Sequence, residues 1–169
     1  MTLLYVAMED RLLTVRGRDG RWEVETSLDG LPLACAAADP LVPERVYCGT
    51  FERGLWRSDD AGATWRSIGD GLPHRFVLAV TVSAQERSGA EGVLWAGTEP
   101  SALFRSEDGG STWQERPALR ALPSAPTWSF PPKPWTHHVR SIALHPDDPR
   151  HLYVAIELGG VMRSLDGGL

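Results

Sequence analysis

The residues best suited to chemistry fall in two places. One is the run Trp135-Thr136-His137-His138-Val139-Arg140, which sets an indole, two imidazoles and a guanidinium within six positions. The other is a set of acids, Glu52, Glu99 and Glu157, each following a short strand-like run. Imidazoles and carboxylates are the usual proton-transfer groups near neutral pH, and with an indole they also suit ligand recognition. A metal site is not read here. His137 and His138 are adjacent, so on a strand they point to opposite faces and cannot share one ion without a bend. There is no nucleophile elbow and no Ser with an assignable His and Asp. The glycines never follow the phosphate-loop pattern, and the acids lack calcium-loop spacing. His137, His138, Arg140, Glu99, Glu157, Trp128 and Trp135 therefore stand as candidate ligand-binding residues. No cofactor is implied and no side chain is assigned a catalytic role.

The elements that must position these residues are announced by a repeat. Ser58-Asp59-Asp60-Ala61-Gly62-Ala63-Thr64-Trp65 recurs as Ser106-Glu107-Asp108-Gly109-Gly110-Ser111-Thr112-Trp113, and again in part as Ser164-Leu165-Asp166-Gly167-Gly168. Each copy follows an arginine: Arg57, Arg105 or Arg163. The residue types suit a tight turn. A short acid such as Asp60 accepts bonds from N–H groups of its own turn, and Gly62 takes φ > 0 without a steric cost. Ser58 and Thr64 add hydroxyl bonds, and Trp65 supplies a large apolar body to pin the turn to its neighbours. Both complete-box tryptophans, Trp65 and Trp113, are therefore expected to be largely buried.

The repeat extends into the flanking strands. Shifted by 106 positions, residues 33–62 align without a gap on 139–168, with nine of thirty identical, including Tyr47/Tyr153 and Gly54/Gly160. The motif acids are 48 and 58 residues apart, a period that reads as propeller blades. The motif resembles the Asp box, or BNR repeat, of sialidase-like and sortilin-like β-propellers. That resemblance implies an all-β fold in which each box is a structural hairpin between the third and fourth strands of a blade, on the face away from the usual ligand site. On this reading Ser58, Asp60, Gly62, Trp65, Ser106, Asp108, Gly110, Trp113, Ser164, Asp166 and Gly168 are structural.

The expected organisation is one partial propeller over 1–169, with about three to four antiparallel blades in an incomplete ring. Blade 1 (1–27) has strands at 4–8, 12–16 and 22–26 and lacks its first. Blade 2 (31–70) has them at 33–38, 46–50, 54–58 and 64–68. Blade 3 (76–116) has them at 77–83, 93–97, 102–106 and 112–116. Blade 4 (138–169) has them at 139–144, 152–156 and 161–164 and lacks its fourth. The pattern is that of roughly half of a longer propeller. Between blades 3 and 4 lies an insertion, 117–135, with six prolines and the aromatics Trp128, Phe130 and Trp135. Proline cannot donate to a ladder, so this is a loop with extended pieces. It serves either as a functional loop or as a cover packed over the end of the sheets.

In such a ring the boxes share one face. The insertion, the approach to blade 4 and Glu52, Glu99 and Glu157 share the other, where His74-Arg75-Phe76 enters blade 3. The candidate ligand residues would then ring one mouth of a central channel. The resemblance also invites a test for glycoside hydrolysis. Sialidases of this kind use three arginines, a Tyr nucleophile paired with Glu, and an Asp acid/base. Here Arg57, Arg105 and Arg163 all sit beside a box and read as structural, and Tyr5, Tyr47 and Tyr153 fall inside strands. The leading reading is a non-catalytic scaffold that binds a carbohydrate, peptide or protein through the face opposite the boxes. The alternative is a sialidase-like exo-glycosidase with part of its site outside these residues. A pure assembly scaffold is a third.

Composition narrows the partners. The net charge of −5 and the lack of a basic run argue against nucleic acid. No apolar stretch approaches the ~20 residues of a membrane span. The start of the chain shows no signal-peptide pattern, and the protein reads as cytoplasmic. Cys35 and Cys48 are expected on adjacent strands, opposite each other, as free thiols in a reducing compartment or as a strained disulfide. The outer faces of blades 1 and 4 are expected to expose apolar patches and open edges, which favours self-association.

Overall fold

The computed structural model describes residues 2–129 and 136–169. Among these described residues, fourteen strands build four antiparallel sheets. The first sheet holds β1 (Thr2–Ala7), β2 (Leu12–Arg18) and β3 (Arg21–Ser27). The second holds β4 (Leu33–Asp39), β5 (Val42–Thr50), β6 (Leu55–Ser58) and β7 (Arg66–Ser67). The third holds β8 (Phe76–Ser88), β9 (Glu91–Glu99), β10 (Leu103–Ser106) and β11 (Gln114–Glu115). The fourth holds β12 (Val139–Leu144), β13 (Leu152–Ile156) and β14 (Gly160–Ser164). Each sheet is a meander in chain order, and β8 contacts both β4 and β12, the first strands of the neighbouring sheets.

Alternation along the strands explains the stacking. On β13 Leu152, Val154 and Ile156 are buried, while Tyr153 between them is exposed. The buried set joins Val139 and Ile142 against Ala79, Val93, Trp95 and Leu103 of the third sheet. The next apolar layer sets Tyr47, Leu55 and Ile68 of the second sheet against Val77, Val82, Leu94 and Phe104 of the third. A smaller one joins Leu12, Leu33 and Cys48. Period-two patterning thus gives each inner sheet two buried faces and leaves an apolar face at each end. The exposed set is Leu4, Val6, Met8, Trp22 and Val24 on the first sheet. On the fourth it is Tyr153, Val161 and the flanking Leu158. Leu12, Ile142, Leu152 and Val154 of the same two sheets lie inside.

The outermost strands differ most from expectation. The runs 64–68 and 112–116 shrink to two-residue strands, β7 and β11, which pair only with Trp56–Arg57 and Phe104–Arg105. The box turn consumes the residues before them. The indoles of Trp65 and Trp113 are largely but not wholly buried, each packed on an apolar layer at the rim between two sheets. The β8–β9 hairpin is longer than the expected strands and carries the third sheet well past its neighbours. The insertion contains two 3₁₀ turns, Pro117–Leu119 and Ala125–Thr127, and buries Leu119 and Trp128 in the layer between the third and fourth sheets.

The turns close as their residue types demand. Asp60 Oδ1 accepts from the Thr64 N–H at 2.8 Å and Oδ2 from the Thr64 hydroxyl at 2.6 Å, while Ser58 donates to Oδ1 at 2.7 Å. Asp108 repeats these bonds with Thr112 and Ser106. Gly110, at φ 92°, presses on Ile68 so closely that an added Cβ would meet its Cδ1 at 2.5 Å. The Thr64 hydroxyl and N–H and the Ser58 hydroxyl pull the Asp60 carboxyl down to about 2. At Asp108 burial works the other way, but the bonds from Thr112 and Ser106 outweigh it and the carboxyl is lowered. A depressed folded pKa contributes stability that is complete above the unfolded value, about 4, and is lost as pH falls through the folded one. Urea midpoints should therefore drop between about pH 4 and 2, and Asp60→Asn should flatten that drop. A pH-independent midpoint across this range would contradict the role of the turns.

Cys35 and Cys48 are free thiols. They are not opposite each other: an irregularity in the β4–β5 register pairs Cys48 with Ala36 and Cys35 with Gly49. Burial pushes the Cys35 thiol up to about 12 and raises Cys48 as well. Since the thiolate is the reactive form, neither should react with Ellman's reagent at about pH 8 until the chain is unfolded. Prompt labelling of the folded chain would overturn this.

Candidate functional site

The end of the sheets opposite the boxes follows from strand direction. Strand β10 is four residues long, with the Glu99–Ser101 turn at its start and the Ser106 box at its finish. Strand β14, five residues long, likewise runs from the turn after Glu157 to the third box. At the far end from the boxes, three chain segments meet. Ser101 N–H donates to the His137 carbonyl at 2.8 Å, and Glu157 N–H to the His138 carbonyl at 3.1 Å. These bonds fix 136–138 between the β9–β10 turn and the end of β13.

The side chains converge on one imidazole. His138 Nε2 lies 2.7 Å from Glu157 Oε2, and its Nδ1 lies 3.8 Å from Glu99 Oε2. Arg140 Nε approaches the same Glu157 oxygen at 3.7 Å, and the Thr136 hydroxyl donates to Glu99. His138 is buried, Glu99 nearly so, while Glu157 and Arg140 reach solvent. A carboxylate on each side fixes the ring, so the group presents a held imidazole with an open guanidinium beside it. His137 points elsewhere. Its ring meets Trp128 edge-on at 5.5 Å, and burial and the neighbouring His138 lower its pKa, with Glu99 opposing.

Five candidates thus gather within two adjacent sheets: His137, His138, Arg140, Glu99 and Glu157. Trp128 departs from its expected role. It is 4% exposed and fills the core layer beside Gly159, so its ring faces are taken by protein and offer no ligand platform. Trp135 lies outside the described residues. Glu52 stays on an exposed turn of the second sheet. Among the described residues, no group of three His, Cys, Asp or Glu is placed to hold a metal ion. Also among them, no helix is long and apolar enough to cross a membrane.

The three box arginines are tied to the fold. Each faces an aromatic residue across the second and third strands of its sheet: Tyr47 pairs with Arg57, Trp95 with Arg105 and Tyr153 with Arg163. The Arg57 and Arg105 guanidiniums stand 5.7 and 5.8 Å over their rings. Arg57 also reaches the next sheet, donating to Glu91 at 2.8 Å and to the Gly109 carbonyl at 3.2 Å. Sequence reading missed the ionic cluster below it. Asp39, wholly buried, holds Arg87 at 2.8 Å and Arg45 at 3.5 Å, and Arg45 continues to Asp59 and Glu91. Asp39, Arg45, Arg87 and Glu91 lie on four separate strands with no shared motif, so no local signal marked them.

Four small antiparallel sheets stacked side by side, with inner strands in contact and a ring left open, define an incomplete β-propeller. Solved structures bear this out. The chain superposes with a TM-score of 0.57 on an ancestral GH74 enzyme (15% identity), covering 98% of this chain and 23% of that one. YCF48 bound to D1 peptide gives 0.52 at 14% identity, over 89% of this chain and 47% of that one. The GH74 xyloglucanase from Xanthomonas campestris also gives 0.52 at 17% identity, over 94% and 33%. The chain therefore spans less than half the length of each. No family model matches the sequence, and no curated protein does.

Proposed function

We propose that this chain is part of an Asp-box propeller that binds a peptide or protein partner without catalysis, through the mouth opposite the boxes. Its blades are 1–27, 31–70, 76–116 and 138–169, with 117–135 as an insertion. The observation that carries the reading is His138 held between Glu99 and Glu157, with Arg140 open to solvent at the rim. A rigid imidazole flanked by acids and an exposed guanidinium offers directional donors and acceptors of both signs to a backbone or side chain. YCF48 with its D1 peptide gives a propeller precedent for peptide capture. Peptides selected on the purified chain from a random display library should lose at least about tenfold in affinity on His138→Ala, a change of about 1.4 kcal/mol. Selected peptides that bind the variant as tightly would sink the assignment.

Glycoside hydrolysis is the second reading, favoured by two carboxylates at one mouth and by the GH74 likeness. Both acids are engaged by the same imidazole, which weighs toward a held structure over a free acid and base. Release of reducing ends from xyloglucan, lost on Glu157→Gln, would establish it in place of the binding reading.

A further inference from the structure

Among the described residues, five other than glycine hold the backbone at positive φ: Asp19, Leu28, Glu52, Ala61 and Leu158. An L side chain is strained there, so each needs a reason. Three find one inside the fold. Asp19 and Gly20 form the two-residue turn between β2 and β3, where Asp-Gly is a favoured pair. Leu28 packs on the apolar layer of Leu12 and Leu33. Ala61 is 8% exposed in its box, its N–H on the Glu44 carbonyl at 2.7 Å and its carbonyl accepting from Thr14 at 3.3 Å.

Glu52 and Leu158 find none. They occupy the same place in their sheets, 106 positions apart, in the turns that join β5 to β6 and β13 to β14. The Gly159 N–H donates to the Ile156 carbonyl at 2.9 Å, so Leu158 is the third residue of a tight turn. In the other turn the Arg53 N–H donates to Thr50 Oγ1 at 3.1 Å, which puts Glu52 at the matching position. That position, at φ 56° for Leu158 and 69° for Glu52, suits Gly or Asn. Leu158 is 69% exposed, and Glu52 is exposed although its sheet packs between two others. Among the described residues neither side chain makes a hydrogen bond or an ion pair, or joins an apolar layer. Both turns lie at the end away from the boxes, and Leu158 directly follows Glu157 of the His138 group.

A fold that needed only these turns would be better served by glycine. We propose that Glu52 and Leu158 are the contact residues that select the partner of the mouth. That partner is a peptide with an apolar residue that packs on Leu158 and a Lys or Arg that pairs with Glu52. This rests on the peptide-binding reading given above. Strain of this kind persists at ligand clamps, where the side chain serves something outside the fold. The Glu52 carboxylate is an acceptor only, so a cationic side chain is the group that satisfies it. The Leu158 side chain adds apolar contact beside the held imidazole, which supplies direction.

Peptides selected on the parent chain from a random display library are the probes, with affinity read by fluorescence anisotropy. They should carry an apolar residue together with a Lys or Arg. Leu158→Gly should weaken them at least about tenfold, while the urea midpoint stays the same or rises as strain is relieved. Glu52→Gln should weaken them about threefold at low salt, and the difference should fade at ~0.5 M salt. If Leu158→Gly misfolds, Leu158→Asn replaces it, since Asn also tolerates φ > 0. Unchanged affinity in either rim variant, with His138→Ala still weakening binding, overturns this inference and leaves the peptide reading standing. A urea midpoint that falls along with the affinity also overturns it, because the side chains would then serve the fold. If no peptide is selected, the peptide reading fails and this inference fails with it.

Discussion

Asp39→Ala should be among the most damaging single changes in the chain, lowering stability by about 3–5 kcal/mol in a urea melt. The carboxylate is wholly buried. Both of its oxygens take bonds from Arg87, at 2.8 and 2.9 Å, and Oδ1 also accepts the Leu41 N–H at 2.9 Å. Removing it leaves two guanidiniums, Arg87 and Arg45, facing each other without the charge between them. The loss spreads, because Arg45 also contacts Asp59 and Glu91, and Arg57 shares both of those acids. At Asp59 burial alone would raise the carboxyl, but Arg57 and Arg45 outweigh it and hold it low. Restoring charge balance with Asp39→Ala/Arg87→Met should recover much of the loss, since a packed apolar pair often replaces a buried ion pair without penalty. A near-neutral Asp39→Ala would show that the cluster is solvated in solution.

Trp95→Ala should cost about 3–5 kcal/mol, and Trp95→Phe under ~2 kcal/mol. The ring is 1% exposed at the centre of the layer joining the third and fourth sheets. Its faces meet the guanidiniums of Arg105 and Arg116, at 5.8 and 5.9 Å. Alanine opens a cavity that rigid strands on both sides cannot close. Phenylalanine keeps most of the contact, and it removes an indole N–H that is buried without a partner, so no hydrogen bond is given up. Equal losses for the two variants would mean that the N–H is satisfied by a buried water. Melting followed by circular dichroism distinguishes the outcomes, because the seven tryptophans complicate fluorescence.

The sequence alone determined the sheets and their stacking. Strand runs at 139–144 and 152–156 match β12 and β13 residue for residue, because alternation and bounding turn residues are local signals. The box bonds were equally legible: Ser, Asp, Gly and Thr act within one turn, so their spacing carries their geometry. The side of the sheets on which His138, Glu99 and Glu157 fall followed from counting strands. That both carboxylates address one imidazole did not, since the three residues are brought together only by sheet packing. Trp128 shows the same limit from the other direction. An aromatic in a Pro-rich loop reads equally well as a surface platform or as core, and only the space beside Gly159 decided for core. The register irregularity that separates Cys35 from Cys48, and the Asp39 cluster drawn from four strands, likewise depend on contacts distant in sequence. Local chemistry fixes turns and strands. Which side chains meet across sheets is set by packing, where each partner's position depends on all the others.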